Sequence, residues 1–539
     1  GDLDDLNNTT IVIDEVHERS IDTDLIIVLL KKIMKKSGLK IVLMSATVDE
    51  KQYKDFFEND LATIYIEGRT FPVTDYYLKD VIEMVNFQNT PTSNNFSNKN
   101  KKSTQSKIQN RSNFSKSTVA YDDIDEDDYF ESLNDSSLSE NNEMMSSLAR
   151  NDAHFFKTGQ ISYDLIAETV AYINEGLVKE GSDGSIIVFL PGVGEIDSCC
   201  RKLRSLGSYF EILPLHSALA PDDQKKVFNS YKNKRKVVVS TNIAETSITI
   251  DDVVATVDSG RAKTVFYSAK DNTTRLVEGW ISKAESKQRR GRAGRVRAGK
   301  CYKLFSTETY EEMQDYPIPE IKRVGLQDLY LNIKAMNISD VIGFLKESMD
   351  APSVANIKKA ERHLKEKGLI NEENELTKMG KYISLLPGSD TDGKILINSI
   401  LFKCLDTGIL LASIIGLTTL PFIGGMENRD KIKSLIKENR GDTYGDLMAT
   451  LKIVQGYFQS SQKSLYMREN CLSFMKLKEI SSSVAQFKSW LRDLGFIPLD
   501  YKNGDERYNL NSDNFSIIKS ILTGALYPNI ARVQYPETK

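Results

Sequence analysis

Ile11-Val12-Ile13-Asp14-Glu15-Val16-His17-Glu18-Arg19 decides the fold: an apolar run closes on two adjacent carboxylates, and a histidine and an arginine follow at once. A short β-branched run bounded by charge reads as a buried strand that delivers Asp14 and Glu15 to its C-terminal end. In an open parallel α/β sheet, ligands bind at that edge. Two acids there suit a magnesium–nucleotide site, with one carboxylate toward the metal and one activating water. A solvated acidic loop accounts for the same pair, so the neighbouring sequence has to decide.

Outward from this strand, Leu25, Val28, Leu29 and Ile33 have helical spacing up to a stop at Ser37-Gly38. A second apolar strand, residues 40–44, runs into Ser45-Ala46-Thr47, and strand, helix and strand with short links make a βαβ unit. Shorter strands are expected at 63–66 and 73–78. Residues 86–152 then turn rich in Asn, Ser and charge, basic first (Lys99 to Lys116) and acidic later (Asp122 to Asp128). So few large apolar groups cannot offset ordering entropy, which predicts a disordered insertion acting as a spacer, with a regulatory or partner-binding role as the alternative. A second α/β repeat follows, with strands expected at 185–190, 210–213, 236–240 and 253–257. Residues 263–280 alternate around Lys270-Asp271-Asn272 and read as a β-hairpin. Helices dominate after Pro317, and something new is expected from about residue 509.

The chain has 539 residues and 40% hydrophobic content, enough for several cores. Its net charge of −4 gives no overall basicity, so any polyanion site has to be a local groove of Lys and Arg. Five scattered cysteines without CxxC or zinc spacing fit free thiols in a reducing compartment, and no apolar run approaches the ~20 residues of a membrane span. The opening without methionine, just ahead of a core strand, predicts that part of the first domain precedes residue 1.

Two further stretches carry chemistry. Residues 241–251 (TNIAETSITID) follow a buried strand with hydroxyls and acids suited to phosphate oxygens or a ribose; a capped helix start is the plainer alternative. In Gln288-Arg289-Arg290-Gly291-Arg292-Ala293-Gly294-Arg295, arginines at 289, 292 and 295 recur every third residue, on one side of a helix, with small residues between them. Planar guanidinium groups suit charge developing on a transferring phosphoryl group. Among the lesser signals, His363 reads as solvated or capping, Tyr302 and Phe305 as sheet core, and Trp280 as packing at the hairpin base or a stacking platform.

DEVH at 14–17, SAT at 45–47, the 241–251 stretch and QRRGRAGR at 288–295 stand in the order that resembles DEAH/RHA-type RNA helicases. Downstream, Pro319-Glu320-Ile321 with Arg323, Gly393-Lys394, Leu420-Pro421-Phe422, residues 468–473 and Tyr527-Pro528-Asn529 are similar to the large multidomain subgroup acting on structured RNA and in translation. The resemblance implies an α/β fold of tandem RecA-like parallel-sheet domains followed by a winged helix, a helical-bundle ratchet and the start of an OB-like domain. The boundaries expected are 1–85 for the C-terminal part of RecA-like domain 1, 86–152 for the insertion, 153–315 for RecA-like domain 2 with its hairpin, 316–388 for the winged helix, 389–505 for the ratchet and 506–539 for the OB-like start.

By that resemblance Asp14 and Glu15 hold Mg²⁺, and Glu15 is the base. Gln288 positions water, and Arg292 and Arg295 are arginine fingers. Ser247, Thr249, Asp251 and Arg261 reach the nucleotide, and His17, Ser45 and Thr47 couple nucleotide state to domain closure. Pro191, Gly192, His216, Ser217, Thr241 and Asn242 face RNA. The implied cofactors are ATP, with other NTPs open, and Mg²⁺; the implied partners are single-stranded RNA with a 3′ overhang or structured RNA, and an activating protein or ribonucleoprotein. No membrane association is expected, and the cytoplasm is the expected compartment, with the nucleus open. Two departures stand out. The Gly-rich phosphate loop that should precede Asp14 is absent from the sequence, so this stretch alone is not expected to hydrolyse ATP efficiently. Arg261 stands where many members carry an aromatic that stacks on the base. The alternative to an ATP-driven helicase is a non-catalytic RNA-binding scaffold with a helicase fold.

Overall fold

The computed structural model describes residues 9–87 and 161–529, apart from 36, 48, 59, 67, 69–70, 218, 220, 246–247, 269–272, 418, 424–425 and 441–444. The expected insertion therefore lies, all but its first two residues, outside the described residues. The described chain divides into two units, one of residues 12–18 and 42–324, the other of 9–11, 19–41 and 325–529.

In the first unit, strands β3 (Val73–Tyr76), β4 (Ser185–Phe189), β5 (Phe210–Leu215), β6 (Arg235–Ser240), β7 (Val253–Asp258) and β10 (Gly299–Lys303) form one sheet in the order β3-β10-β7-β4-β6-β5. Every pairing is parallel. Strands covered on both faces read as continuous apolar runs, and β4 and β7 are buried at every position. Ile186 and Val188 pack under helices Tyr163–Lys179 and Val193–Arg204, while Ile187 and Phe189 face Leu213, Leu215, Val227 and Val238. Each such side chain contributes about 1.5–3 kcal/mol on burial. Tyr302 and Phe305 are core residues, as read. β8 (Arg261–Ser268) and β9 (Thr273–Trp280) form the expected antiparallel hairpin.

Three expectations change here. Residues 73–78 had been assigned to the first domain, yet β3 pairs with β10, Val73 opposite Gly299 and Tyr76 opposite Tyr302. Arg290 fixes it there by donating to Asp75 Oδ2 at 2.9 Å and to the Val73 carbonyl at 2.7 Å. Helix Leu78–Val85 follows, and Phe87 enters the same core. The boundary thus falls before β3, and the expected insertion interrupts the second sheet domain instead of separating the two. The strand expected at 63–66 is also absent among the described residues, where Ile64, Tyr65 and Ile66 stand exposed.

β1 (Thr10–Ile13) and β2 (Lys40–Leu43) form a separate two-stranded sheet. Lys40 N–H donates to Thr9 O and Met44 N–H to Ile13 O, an equal offset that makes the strands run parallel. Between them, helix Ile21–Met34 is capped by Ser20, whose Oγ accepts from Thr23 N–H at 3.2 Å.

In the other unit, the described residues of 325–529 are helical, and the only bridges among them are Ile370–Leu376, in the region expected to be a winged helix, and Phe422–Leu472 further on. The third changed expectation lies at the C-terminal end. An OB-like start was expected from residue 506, but Glu506–Asn509 and Phe515–Leu526 are helices. Ile518 joins the helical core and Lys394 Nζ donates to Gly524 O at 2.8 Å. No helix among the described residues is long and apolar enough to cross a membrane.

Candidate active site

Every residue placed below belongs to the unit of residues 12–18 and 42–324. Beyond β1 the backbone turns sharply. Glu15 adopts φ +53, a left-handed conformation rare outside glycine, and its N–H donates to Asp14 Oδ1 at 2.8 Å. Asp14 and Glu15 are both exposed, whereas Val16 is buried and anchors the turn. His17 Nδ1 lies 3.4 Å from Glu15 Oε2 and 3.2 Å from Ser45 Oγ. Ser45 spends its proton on the Thr47 carbonyl at 2.8 Å, so the hydrogen between Ser45 and His17 sits on Nδ1. His17 Nε2 is buried and has no hydrogen-bond partner among the described residues.

The arginine stretch begins as helix Lys283–Gly291, started by a capping box in which Ser282 Oγ accepts from Glu285 N–H and Glu285 Oε2 accepts from Ser282 N–H at 2.7 Å. Gln288 Nε2 donates to Thr47 Oγ1 at 3.3 Å. The helix ends at Gly291 and tightens into a 3₁₀ turn, Arg292–Gly294, in which side chains three residues apart eclipse, and all three arginines reach residues 245–249. Arg289 is fully buried, donating to Glu245 Oε2 at 2.9 Å and Asp258 Oδ1 at 2.8 Å. Burial pulls its guanidinium down, but Asp258 and Glu245 more than offset this and hold it above its ordinary range. One cation shared by two buried carboxylates leaves negative charge in excess, and burial pushes Glu245 up in spite of Arg289.

Arg292 is buried, donating to the backbone carbonyls of Ile248 (3.3 Å) and Glu245. Burial and then the neighbouring Arg295 charge push it down to about 10, against the opposing pull of Glu245 and Glu15. Arg295 is exposed and donates to Thr249 Oγ1 at 2.8 Å. Two adjacent cations whose hydrogen bonds go to uncharged oxygens, with the Glu15 carboxylate within electrostatic range, form a site that gains by receiving an anion. Asp251 is exposed, and Ser247 lies outside the described residues.

Arg261 behaves differently from expectation. Its guanidinium stacks 4.3 Å over its hairpin partner Trp280 and reaches Glu278 at 3.4 Å, so it is engaged within the hairpin and not held out toward a base. Trp280 in turn packs edge-on against Phe305, which makes it a packing residue at the hairpin base.

The residues expected to face RNA stand at the C-terminal ends of three adjacent strands: Pro191 and Gly192 after β4, Thr241 and Asn242 after β6, His216 and Ser217 after β5. Asn242 and Ser217 are exposed, whereas His216 is buried, and burial holds its imidazole below the ordinary range. A Cβ at Gly192 would meet Glu195 Oε2 at 2.7 Å and Lys263 Nζ at 3.0 Å, both the ends of flexible side chains that can yield. Glu195 itself pairs with Lys263 at 2.8 Å. Glu195 and Asp258 carry no local signal in the sequence, whereas Glu245 lies inside the 241–251 stretch and Lys263 opens the 263–280 hairpin.

Residues 168–297, which include the strand-end loops and the arginine stretch, match the family described as Helicase conserved C-terminal domain. Over its length the chain is similar to DExH/DEAH-box helicases. It is 52% identical, over 99% of its length, to a Saccharomyces cerevisiae protein provisionally named an ATP-dependent RNA helicase, covering 35% of that protein. It is 33% identical, over 98% of its length, to a DExH-box ATP-dependent RNA helicase of Arabidopsis thaliana, covering 52% of it. Over 97% of its length it is 32% identical to an ATP-dependent DNA/RNA helicase of Homo sapiens, covering 51% of it. The chain thus spans between about a third and a half of these relatives.

Proposed function

We propose that the protein is an ATP-dependent RNA helicase that couples NTP hydrolysis to unwinding or remodelling of structured RNA. The observation that carries this reading is the buried Arg292 beside Arg295, both bonded to uncharged oxygens, with Glu15 acting on Arg292. Such a pair is suited to charge on a transferring phosphoryl group. The names of the relatives above support the RNA and ATP parts of the reading.

In this reading Glu15 accepts the proton of the attacking water, Gln288 orients that water, and Arg292 and Arg295 neutralise the γ-phosphoryl. His17, Ser45 and Thr47 transmit nucleotide state through the Gln288–Thr47 bond. The donor set fits Mg²⁺: Asp14 and Glu15 offer two exposed hard carboxylates, and no cluster of three or more His, Cys, Asp or Glu residues that could hold a metal occurs among the described residues. That suits an ion which takes one or two carboxylates and completes its shell with phosphate and water. When bound, the metal supplies neutralisation of phosphate charge. The loops after β4, β5 and β6 face single-stranded RNA through its backbone, which carries little sequence information. An activating protein partner belongs to the same proposal, as does a cytoplasmic setting, which suits five buried free cysteines.

The test is NTP hydrolysis by the intact protein with and without a 3′-tailed RNA duplex, alongside strand separation. RNA-stimulated hydrolysis with ATP-dependent separation is expected. RNA binding without any hydrolysis would sink the proposal in favour of a scaffold.

A further inference from the structure

Arg289 is the largest fully buried side chain of the unit, and neither nucleotide nor nucleic acid is assigned to it. Its guanidinium makes bonds to three separate pieces of chain. Nε donates to Glu245 Oε2 at 2.9 Å; Nη1 donates to Asp258 Oδ1 at 2.8 Å and to the Arg261 carbonyl at 3.3 Å. The underside of the group lies 5.1 Å from the centre of the Phe189 ring, which fixes its plane.

Each grip leads somewhere. Glu245 holds Arg289 with its side chain and Arg292 with its backbone carbonyl, so the position of one sets the position of the other. Asp258 Oδ1 also accepts from Gly260 N–H at 2.9 Å, and Gly260 turns the chain into β8 with φ +69. Arg261, the first residue of β8, opens the hairpin. The bonds are unevenly shared: Oδ1 of Asp258 carries both, while Oδ2 is buried without a hydrogen-bond partner among the described residues.

We propose that Arg289 is a positioning residue which, through Glu245 and Asp258, ties the placement of the phosphoryl-facing Arg292 to the root of the β8–β9 hairpin. The inference rests on the functional reading above. A planar fork is needed because the three acceptors lie on different strands and loops, and only a rigid, multi-donor group can fix all three in one geometry.

The test compares wild type, Arg289→Lys and Arg289→Met in the intact protein, measuring thermal unfolding, nucleotide KM and kcat, and stimulation by a 3′-tailed RNA. Lysine keeps the charge but offers one flexible point donor, so it restores charge balance without restoring the geometry. Arg289→Lys is expected to fold and to bind nucleotide with nearly unchanged KM, while kcat falls by about 100-fold, the cost of a misplaced catalytic group, and RNA stimulation is lost. Wild-type kcat and stimulation in Arg289→Lys would overturn the proposal, because charge compensation alone would then suffice. Should neither variant fold, Asp258→Asn carries the same test: lowered stimulated kcat at constant KM supports the proposal, and an unaltered stimulated rate overturns it. The two failures are distinct. An inactive wild type removes the functional reading and this inference with it; an active wild type with equally active variants removes the inference alone.

Discussion

Gln288 Nε2 donates to Thr47 Oγ1 across 3.3 Å, a side-chain bond that joins the arginine helix to the loop after β2. Thr47 is held from its other side, since Ser45 Oγ donates to its carbonyl and Ser45 also meets His17. Thr47→Val keeps the shape and removes the acceptor. Strand separation is expected to fall about fivefold, matching a net hydrogen bond of ~1 kcal/mol, while basal hydrolysis changes little. Parallel measurement of both activities checks this, and equal losses would show that the bond serves hydrolysis itself.

Glu15 owes its conformation to the backbone and not to a buried ion pair: its carboxylate is half exposed, with His17 Nδ1 at 3.4 Å. Glu15→Gln should therefore fold normally and still bind nucleotide. Its turnover is expected to drop by about 10²- to 10⁴-fold, the usual contribution of a positioned general base. Single-turnover hydrolysis alongside a nucleotide-binding titration checks this; unchanged turnover removes Glu15 as the base.

Arg292 and Arg295 should separate experimentally. Arg295 is exposed and makes a single side-chain bond to Thr249, so Arg295→Ala should leave stability alone and lower kcat by about 10³-fold. Arg292 is buried and fastens the Glu245 and Ile248 carbonyls, so Arg292→Ala should lower both kcat and melting temperature. Melting curves beside nucleotide KM and kcat for the two variants give the answer. A pure KM effect in Arg295→Ala would argue for ground-state binding.

The legible parts of the chain were those where local pattern and tertiary environment agree. β4, β6 and β7 are buried on both faces, so their apolar runs could be read directly, and the loops at their ends followed. The short Val73-Thr74-Asp75-Tyr76 strand could be seen, but its domain could not, because its partner β10 is remote in sequence and Arg290 makes the bond that fixes it. The three-residue arginine spacing suggested one face, and all three arginines reach residues 245–249; what the spacing could not show is that Arg289 is held by the buried Glu245 and Asp258. Arg261 opposite Trp280 follows from hairpin register once the turn is placed. At the C-terminal end, Ile517-Ile518, Ile521-Leu522 and Ala525-Leu526 already held a helical period that was read as the start of strands.

His363 shows the same limit and yields a pH prediction. It was read as solvated or capping, yet its Nε2 lies 3.1 Å from Asp390 Oδ2, and Lys367 Nζ donates to Asp390 Oδ1 at 2.8 Å. Burial pushes the Asp390 carboxyl up, but the His363 hydrogen bond and Lys367 overcome it and hold it down to about 2. A carboxylate depressed in the folded state contributes stability that is complete above its unfolded value near ~4 and is lost as pH falls through the folded value. Asp390→Asn removes that contribution and deprives Lys367, only 4% exposed, of the carboxylate it bonds directly. At pH 7 the expected cost is about 3–5 kcal/mol, that of breaking a buried pair. Urea unfolding of wild type and variant should show this gap shrinking between about pH 4 and pH 2, because wild type loses its advantage as Asp390 protonates. A gap that stays constant across that range would mean that Asp390 acts through packing and not through charge.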